Sequence, residues 1–259
     1  MSPPTRTVAV IPAYQAADTV GPVVAVARRV VSRVVVVDDG SRDDTGAVAR
    51  DAGAQVLRCE ENGGKGAALR RAFDLLLSES VEEIVTVDAD GQHAPTEIPK
   101  LVAARRRSGA HLILGTRTHL YAEMSRPRRL ANTLSSRAIS ATFARVMLDV
   151  QTGFRLYTAE LLRSTGFPEP RFGAESAVVV RALRCGLRIE SVPIDLAEAD
   201  GRRTSHYRPV VDSLRIFRAT ARARFEPRSA FVGCGGPPRV DERTPRQRRH
   251  HELPHDLRS

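Results

Sequence analysis

Three observations predict an α/β protein with a Rossmann-like, doubly wound and mostly parallel sheet. Short β-branched segments alternate with helix-length stretches from Thr7 to Leu114. The polar and glycine-rich clusters of that half fall just after the β-branched segments, on what would be one edge of the sheet. With 259 residues and 42% hydrophobic content, the chain can also bury a sizeable single core.

The elements follow in order. Thr7 to Ile11 reads as a strand covered on both faces, followed by a helix from about Thr19 to Val31. Arg33 to Val37 is a second strand and Asp43 to Ala52 a second helix. Gln55 to Arg58 is a third strand, and Gly64 to Leu77 a helix with Leu69, Phe73 and Leu76 at helical spacing. Ile84 to Val87, a helix over Glu97 to Arg107 and Leu112 to Leu114 complete the repeat. Beyond Arg117 the pattern loosens. A helix-like stretch covers Arg128 to Met147, a strand Gly153 to Tyr157, a helix Glu175 to Arg184 and a strand Arg188 to Ile194. Arg208 to Arg224 reads as an amphipathic helix, with Val210, Val211, Leu214, Phe217 and Ala221 opposite Arg215, Arg218 and Arg222. From about Arg228 the chain is Pro-, Gly- and Arg-rich with few apolar residues, the composition of disorder. The expected organisation is one folded domain over residues 6–225 and a disordered basic tail over 226–259.

A net charge of +10, almost wholly from arginine, points to an anionic partner such as phosphate, nucleotide or a membrane surface. The absence of Trp and an aromatic content of 5% argue against a nucleic-acid platform built on stacking. Cys59, Cys185 and Cys234 lack metal-ligand spacing and read as reduced thiols of a cytoplasmic protein. Met1 to Arg6 leads straight into a strand, with no secretory leader expected. No apolar run approaches the roughly 18 residues that span a bilayer, so action on lipid is expected from the membrane surface.

The chemistry concentrates in Thr86-Val87-Asp88-Ala89-Asp90-Gly91-Gln92-His93. If the strand continues extended, Asp88, Asp90 and Gln92 point the same way. Three hard oxygen donors at a strand's carboxyl end suit Mg²⁺ or Mn²⁺, which keep waters and bind substrate phosphates. An Asx turn after a strand is the competing reading. Lys65 lies among glycines that let a backbone approach a ligand closely.

Ile11-Pro12-Ala13-Tyr14, Val37-Asp38-Asp39-Gly40-Ser41, Asn62-Gly63-Gly64-Lys65-Gly66, the Asp88–His93 segment and Gln151-Thr152-Gly153-Phe154-Arg155 together resemble family 2 glycosyltransferases. The nearest branch is similar to the dolichol-phosphate (polyprenyl-phosphate) mannosyltransferases. The resemblance covers about residues 6 to 225, and any single motif would be weak. It implies a GT-A fold and transfer of a sugar, with inversion, from a nucleotide-diphosphate sugar to a polyprenyl phosphate. It also implies action at the cytoplasmic membrane surface. Pro12 and Tyr14 match residues that hold base and ribose, Asp39 the carboxylate that reads the nucleoside, and Lys65 and Ala89 further donor contacts. Asp88 and Asp90 match the D-x-D metal site, with Gln92 as third ligand of Mg²⁺ or Mn²⁺. Arg117 and Arg155 are candidates for the acceptor phosphate, since guanidinium forks suit phosphate oxygens. Glu175 is the leading base for a hydroxyl acceptor and Asp149 the second; a phosphate acceptor needs no strong base.

Two departures from the family pattern stand out. The usual Pro-x-Tyr-Asn-Glu becomes Pro12-Ala13-Tyr14-Gln15-Ala16, leaving Asp18 as a possible substitute for the acidic residue. The late basic motif becomes Arg202-Arg203-Thr204-Ser205-His206, in which Arg203 and His206 are the acceptor-side candidates. The nearest alternative keeps the donor chemistry with a hydroxyl acceptor. A sugar-1-phosphate nucleotidylyltransferase would carry an N-terminal Gly- and Arg-rich phosphate loop, which Val8 to Tyr14 lacks. A non-catalytic binding protein would have little need of Asp88, Asp90 and Gln92 together.

Overall fold

A computed structural model describes residues 7–117, 133, 136, 137, 140, 149–167, 173–196 and 218–227. Seven strands are β1 (Thr7–Ala13), β2 (Arg33–Asp38), β3 (Gln55–Arg58), β4 (Glu83–Thr86), β5 (Leu112–Thr116), β6 (Arg155–Thr158) and β7 (Ile189–Pro193). The helices between them are α1 (Ala17–Ala27), α2 (Thr45–Asp51), α3 (Lys65–Ser78), α4 (Ile98–Ser108), α5 (Ala159–Thr165) and α6 (Gly173–Arg184). One sheet holds all seven strands in the order β3-β2-β1-β4-β6-β5-β7.

Helical crossovers make β1 parallel to both β2 and β4, and β2 to β3. β6 is inserted between β4 and β5, antiparallel to each. It carries the Gly153–Arg155 segment from the far half of the chain to the tip of β4, where Thr86 pairs with Arg155.

Alternation along the central strands explains their continuous apolar sequence. Val8, Val10, Val35 and Val37 face α3, α5 and α6, packing with Leu69, Phe73, Leu76, Leu161 and Val178. Ala9, Ile11, Val34 and Val36 face α1, α2 and α4, packing with Val20, Val24, Ala49, Ile98 and Leu101. A strand buried on both faces has no polar side to show. Each such Val, Leu or Ile removed from water contributes about 1.5–3 kcal/mol. Phe73 anchors its layer, with Tyr157 at 5.3 Å and Phe167 edge-on at 5.0 Å between ring centroids.

The expected elements from Thr7 to Leu114 all form, with ends displaced by a few residues. The sequence reading missed α5. Seven residues are too few for a periodic signal, although Thr158 caps the helix by accepting from the Leu161 N–H at 3.2 Å.

Of the stretch expected to be helical from Arg208, residues 218–225 are described and helical. Arg218 and Arg222 are exposed as expected, but Ala219 and Ala223 are the buried positions, with Ala221 only half-buried. Glu226, expected to open the tail, is anchored instead: Arg181 forks onto its carboxylate at 2.6 and 2.8 Å. Residues 228–259 lie outside the described residues. Cys59 is a free, half-buried thiol, whereas Cys185 is disulfide-bonded, so the three cysteines are not all reduced.

Candidate active site

The carboxyl edge gathers the expected clusters. Pro12 lies near the end of β1 and Tyr14 just after it, both half-buried. Gln15 adopts φ 52° and is stitched to the loop after β2. Its N–H donates to Ser41 Oγ at 3.0 Å, and its Oε1 accepts from Arg42 and Asp43 N–H groups at 3.3 and 3.2 Å. Gln15 thus does local structural work where the family pattern has a second polar residue. Asp18 is exposed in the first turn of α1.

Asp38 and Asp39 hold the loops of this edge together. Asp38 is fully buried, accepting from Ser41 N at 2.9 Å and pairing with Arg58 at 2.6 Å. Asp39 is also buried, and its two oxygens accept from Gly63 and Gly64 N–H groups at 2.9 and 2.7 Å. The carboxylate expected to read a nucleoside therefore clamps the glycine loop that leads into α3.

That clamp positions Lys65, the first residue of α3. Gly64 before it has φ 88°, a conformation that favours glycine. Lys65 Nζ lies 2.6 Å from Asp88 Oδ1 and 3.1 Å from Glu175 Oε1, with its side chain 15% exposed. On the other carboxylate oxygen, buried His93 brings Nδ1 to 3.4 Å from Asp88 Oδ2, while its ring stacks on Phe154.

Gly153 closes this cluster from below. A Cβ there would stand 2.3 Å from Asp88 Oδ2 and 2.6 Å from Lys65 Nζ. Its carbonyl accepts from Thr86 Oγ1 at 2.8 Å, fixing the approach. Gly153 and His93 are site neighbours to which the sequence motifs assign no role. The only available signal was glycine inside the Gln151–Arg155 motif. We expect Gly153→Ala to lower turnover by about a hundredfold with an unchanged circular dichroism spectrum, because it misplaces Asp88 and Lys65 by about an ångström. Activity near that of the parent would mean the pair need not sit where it does.

The backbone around the acidic pair differs from the expectation. β4 ends at Thr86, and Ala89 and Asp90 form a turn followed by Gly91 at φ 74°. Strand alternation therefore does not align Asp88, Asp90 and Gln92. The Gln92 N–H instead donates to Asp90 Oδ1 at 3.0 Å, closing an Asx turn. Ala89 is buried between the two acids. The electrostatics still couple them. Burial opposes the Asp88 charge, but the Lys65 ammonium and the contact with His93 outweigh it and hold the carboxyl well below the usual range. Burial, and then the Asp88 charge, push Asp90 upward.

An acid raised by a neighbouring acid is one that a cation would relieve, so the pair fits a divalent ion. Among the described residues no three His, Cys, Asp or Glu side chains converge as a closed metal cage. Two carboxylates side by side are hard oxygen donors of the kind Mg²⁺ or Mn²⁺ takes together with water and phosphate oxygens.

The arginines expected on the acceptor side are occupied. Arg117 is buried and forks onto Asp149 through Nε and Nη2, each at 3.0 Å. Asp149 is fully buried at φ 48° and also accepts the Arg117 N–H. Asp149, the second base candidate, is thus held by Arg117. Arg155 is completely buried, and its guanidinium donates to the carbonyls of Thr152, Glu175 and Val150 at 2.7, 2.5 and 2.7 Å. It joins the Val150–Thr152 turn and β6 to α6 through those carbonyls. Glu175 is buried beside Lys65. Arg203 and His206 lie outside the described residues.

A mostly parallel α/β sheet with an acidic pair at its carboxyl edge places the chain in the class of GT-A glycosyltransferase folds. Residues 8–166 match glycosyl transferase family 2, and the chain belongs to that family. It is 30% identical to the undecaprenyl-phosphate mannosyltransferase of Micrococcus luteus, over 75% of this chain and 85% of that protein. Identity to the polyprenol monophosphomannose synthase of Mycolicibacterium smegmatis is 29%, over 76% and 80% of the two chains. Among solved structures, glucosyl-3-phosphoglycerate synthase from Mycobacterium tuberculosis superposes with TM-score 0.67 at 23% identity, covering 86% of this chain and 80% of that one. This last likeness is one of fold.

Proposed function

We propose that this enzyme transfers a sugar, with inversion, from a nucleotide-diphosphate sugar to a polyprenyl phosphate in a reaction that depends on Mg²⁺ or Mn²⁺. The observation that carries the reading is the Asp88–Asp90 pair after β4, set against Lys65 and Gly153, in a chain of this family. The relatives named for undecaprenyl-phosphate and polyprenol monophosphate products support the acceptor class.

Asp88 and Asp90, with Gln92 from the turn that follows them, would hold the ion, which would neutralise charge on a departing diphosphate. Pro12 and Tyr14 offer a rigid turn and an aromatic ring to the nucleoside. Lys65 places an ammonium beside the diphosphate's expected position, and Ala89, with no side-chain bulk, leaves room between the acids. Glu175 is engaged by Lys65 rather than open to a hydroxyl, which favours an acceptor that arrives as an anion and needs no deprotonation. Arg203 and His206 remain the candidate contacts for the acceptor phosphate.

No helix among the described residues is long and apolar enough to cross a membrane. The proposed acceptor lies in one, so the enzyme would work peripherally, on the cytoplasmic face where nucleotide sugars are available. The exposed Arg218 and Arg222 would face anionic headgroups.

The test is a panel of nucleotide sugars with Mn²⁺, each offered polyprenyl phosphate in anionic vesicles or soluble hydroxyl acceptors. Transfer to the lipid phosphate, lost on chelation, is the expected result. Transfer only to hydroxyl acceptors would replace the acceptor assignment, and full activity in chelator would remove the metal from the mechanism.

A further inference from the structure

The position of Lys65 bears on how the ion and the donor enter. Its ammonium takes up Asp88 Oδ1 at 2.6 Å and reaches Glu175 Oε1 at 3.1 Å. Gly153 packs so close that a Cβ there would stand 2.6 Å from that ammonium. His93 stands against the second Asp88 oxygen at 3.4 Å. Among the described residues Asp90, unlike Asp88, has no cationic side-chain partner at this range, its Oδ1 being turned onto a backbone N–H. The site as it stands already contains a cation, and that cation belongs to the chain.

We propose that Lys65 is an internal counter-ion that competes with the divalent cation for Asp88, so that the ion loads tightly only together with a nucleoside diphosphate. This rests on the metal-dependent reading above and adds an order to it. A divalent ion arriving alone must displace an ammonium from a short, mostly buried ion pair and leave it facing Glu175 alone. A nucleoside diphosphate changes both sides of that exchange. Its oxygens complete the coordination of the ion, and its negative charge offers the displaced ammonium a second anionic partner. Asp88 Oδ1 is then released to the ion without leaving an unpaired buried charge behind. The arrangement suppresses metal capture by an enzyme without donor, and couples the two ligands through one side chain.

The coupling is reciprocal and is read without turnover. Mn²⁺ binding to the full-length protein is followed by the electron paramagnetic resonance signal of free Mn²⁺, alone and with saturating UDP or GDP. The parent is expected to bind Mn²⁺ at least about tenfold more tightly with the preferred diphosphate than without it. Lys65→Met, which keeps the aliphatic stem and removes the charge, is expected to tighten diphosphate-free Mn²⁺ binding by about tenfold and to shrink the diphosphate effect. Lys65→Arg keeps the charge and should bind Mn²⁺ alone as weakly as the parent. Circular dichroism and thermal melts confirm that each variant is folded, and an unfolded Lys65→Met leaves Lys65→Gln to carry the same comparison. If the neutral variant binds Mn²⁺ alone no more tightly than the parent, the internal counter-ion is refuted while the metal site stands. If no variant binds Mn²⁺ with either diphosphate, both readings fall.

Discussion

Asp90→Ala is expected to reduce sugar transfer by at least about a thousandfold while leaving the protein no less stable than its parent. The two halves of this expectation come from one feature. Asp90 carries its charge against burial and against the neighbouring charge of Asp88, with the Gln92 backbone N–H as its one hydrogen-bond donor among the described residues. Such a group weakens the folded state in order to serve a ligand, and removing it relieves the strain. The pH dependence has a definite sign. A carboxyl raised in the folded state contributes stability that is complete below its ordinary value of 3.8 and is lost as pH rises through the raised value. The alanine variant lacks that decline, so its advantage in thermal melts should grow from acid toward neutral pH. Asp88→Asn should behave oppositely. Asp88 is depressed by Lys65, so its contribution is present at neutral pH and lost on acidification, and its removal strands an ammonium beside Glu175. A variant at Asp90 that kept activity in chelator, or that melted far below its parent, would overturn this account.

The contrast between these two acids marks what could be read from sequence. Asp88 and Asp90 were legible because strand, acid and glycine are local, and the rule that ligands gather at carboxyl ends needs only strand order within each crossover. The parallel half of the sheet was legible for the same reason, and β3 spans the very residues expected, Gln55–Arg58. The antiparallel β6 was identified as a strand, but its insertion between β4 and β5 was not, because nothing in Arg155–Thr158 specifies its neighbours. The site divides along the same line. That Lys65 would meet both Asp88 and Glu175 depends on β6 bringing Gly153 to the tip of β4 and on α6 packing against that face. The alignment of Gln92 with the acids failed for a local reason: the turn at Ala89–Asp90 breaks the alternation that the argument assumed. Arginine was the hardest residue to place. A guanidinium satisfies carboxylate, phosphate or carbonyl oxygens alike, and only the folded chain decides which it meets.

Arg155 makes that decision measurable. Arg155→Ala is expected to destabilise the protein by roughly 3–5 kcal/mol, since the three carbonyls of Val150, Thr152 and Glu175 would lose their buried donors together. Arg155→Lys should recover little, because one ammonium cannot reach three carbonyls spread around a planar fork. The neighbourhood explains why arginine is tolerated there at zero exposure. Its charge is held by carbonyl dipoles, and it ties the Val150–Thr152 turn, β6 and the first turn of α6 into one unit. Gly153, inside that unit, supports Asp88 and Lys65, so the strut acts on the site through position rather than contact. The discriminating measurement is chemical denaturation alongside the KM for lipid phosphate, taken well below the melting temperature. A strut lowers the denaturation midpoint and the amount of active enzyme while KM for the acceptor stays within about twofold. An arginine that bound the acceptor phosphate would do the reverse, leaving the midpoint unchanged and raising that KM by tenfold or more.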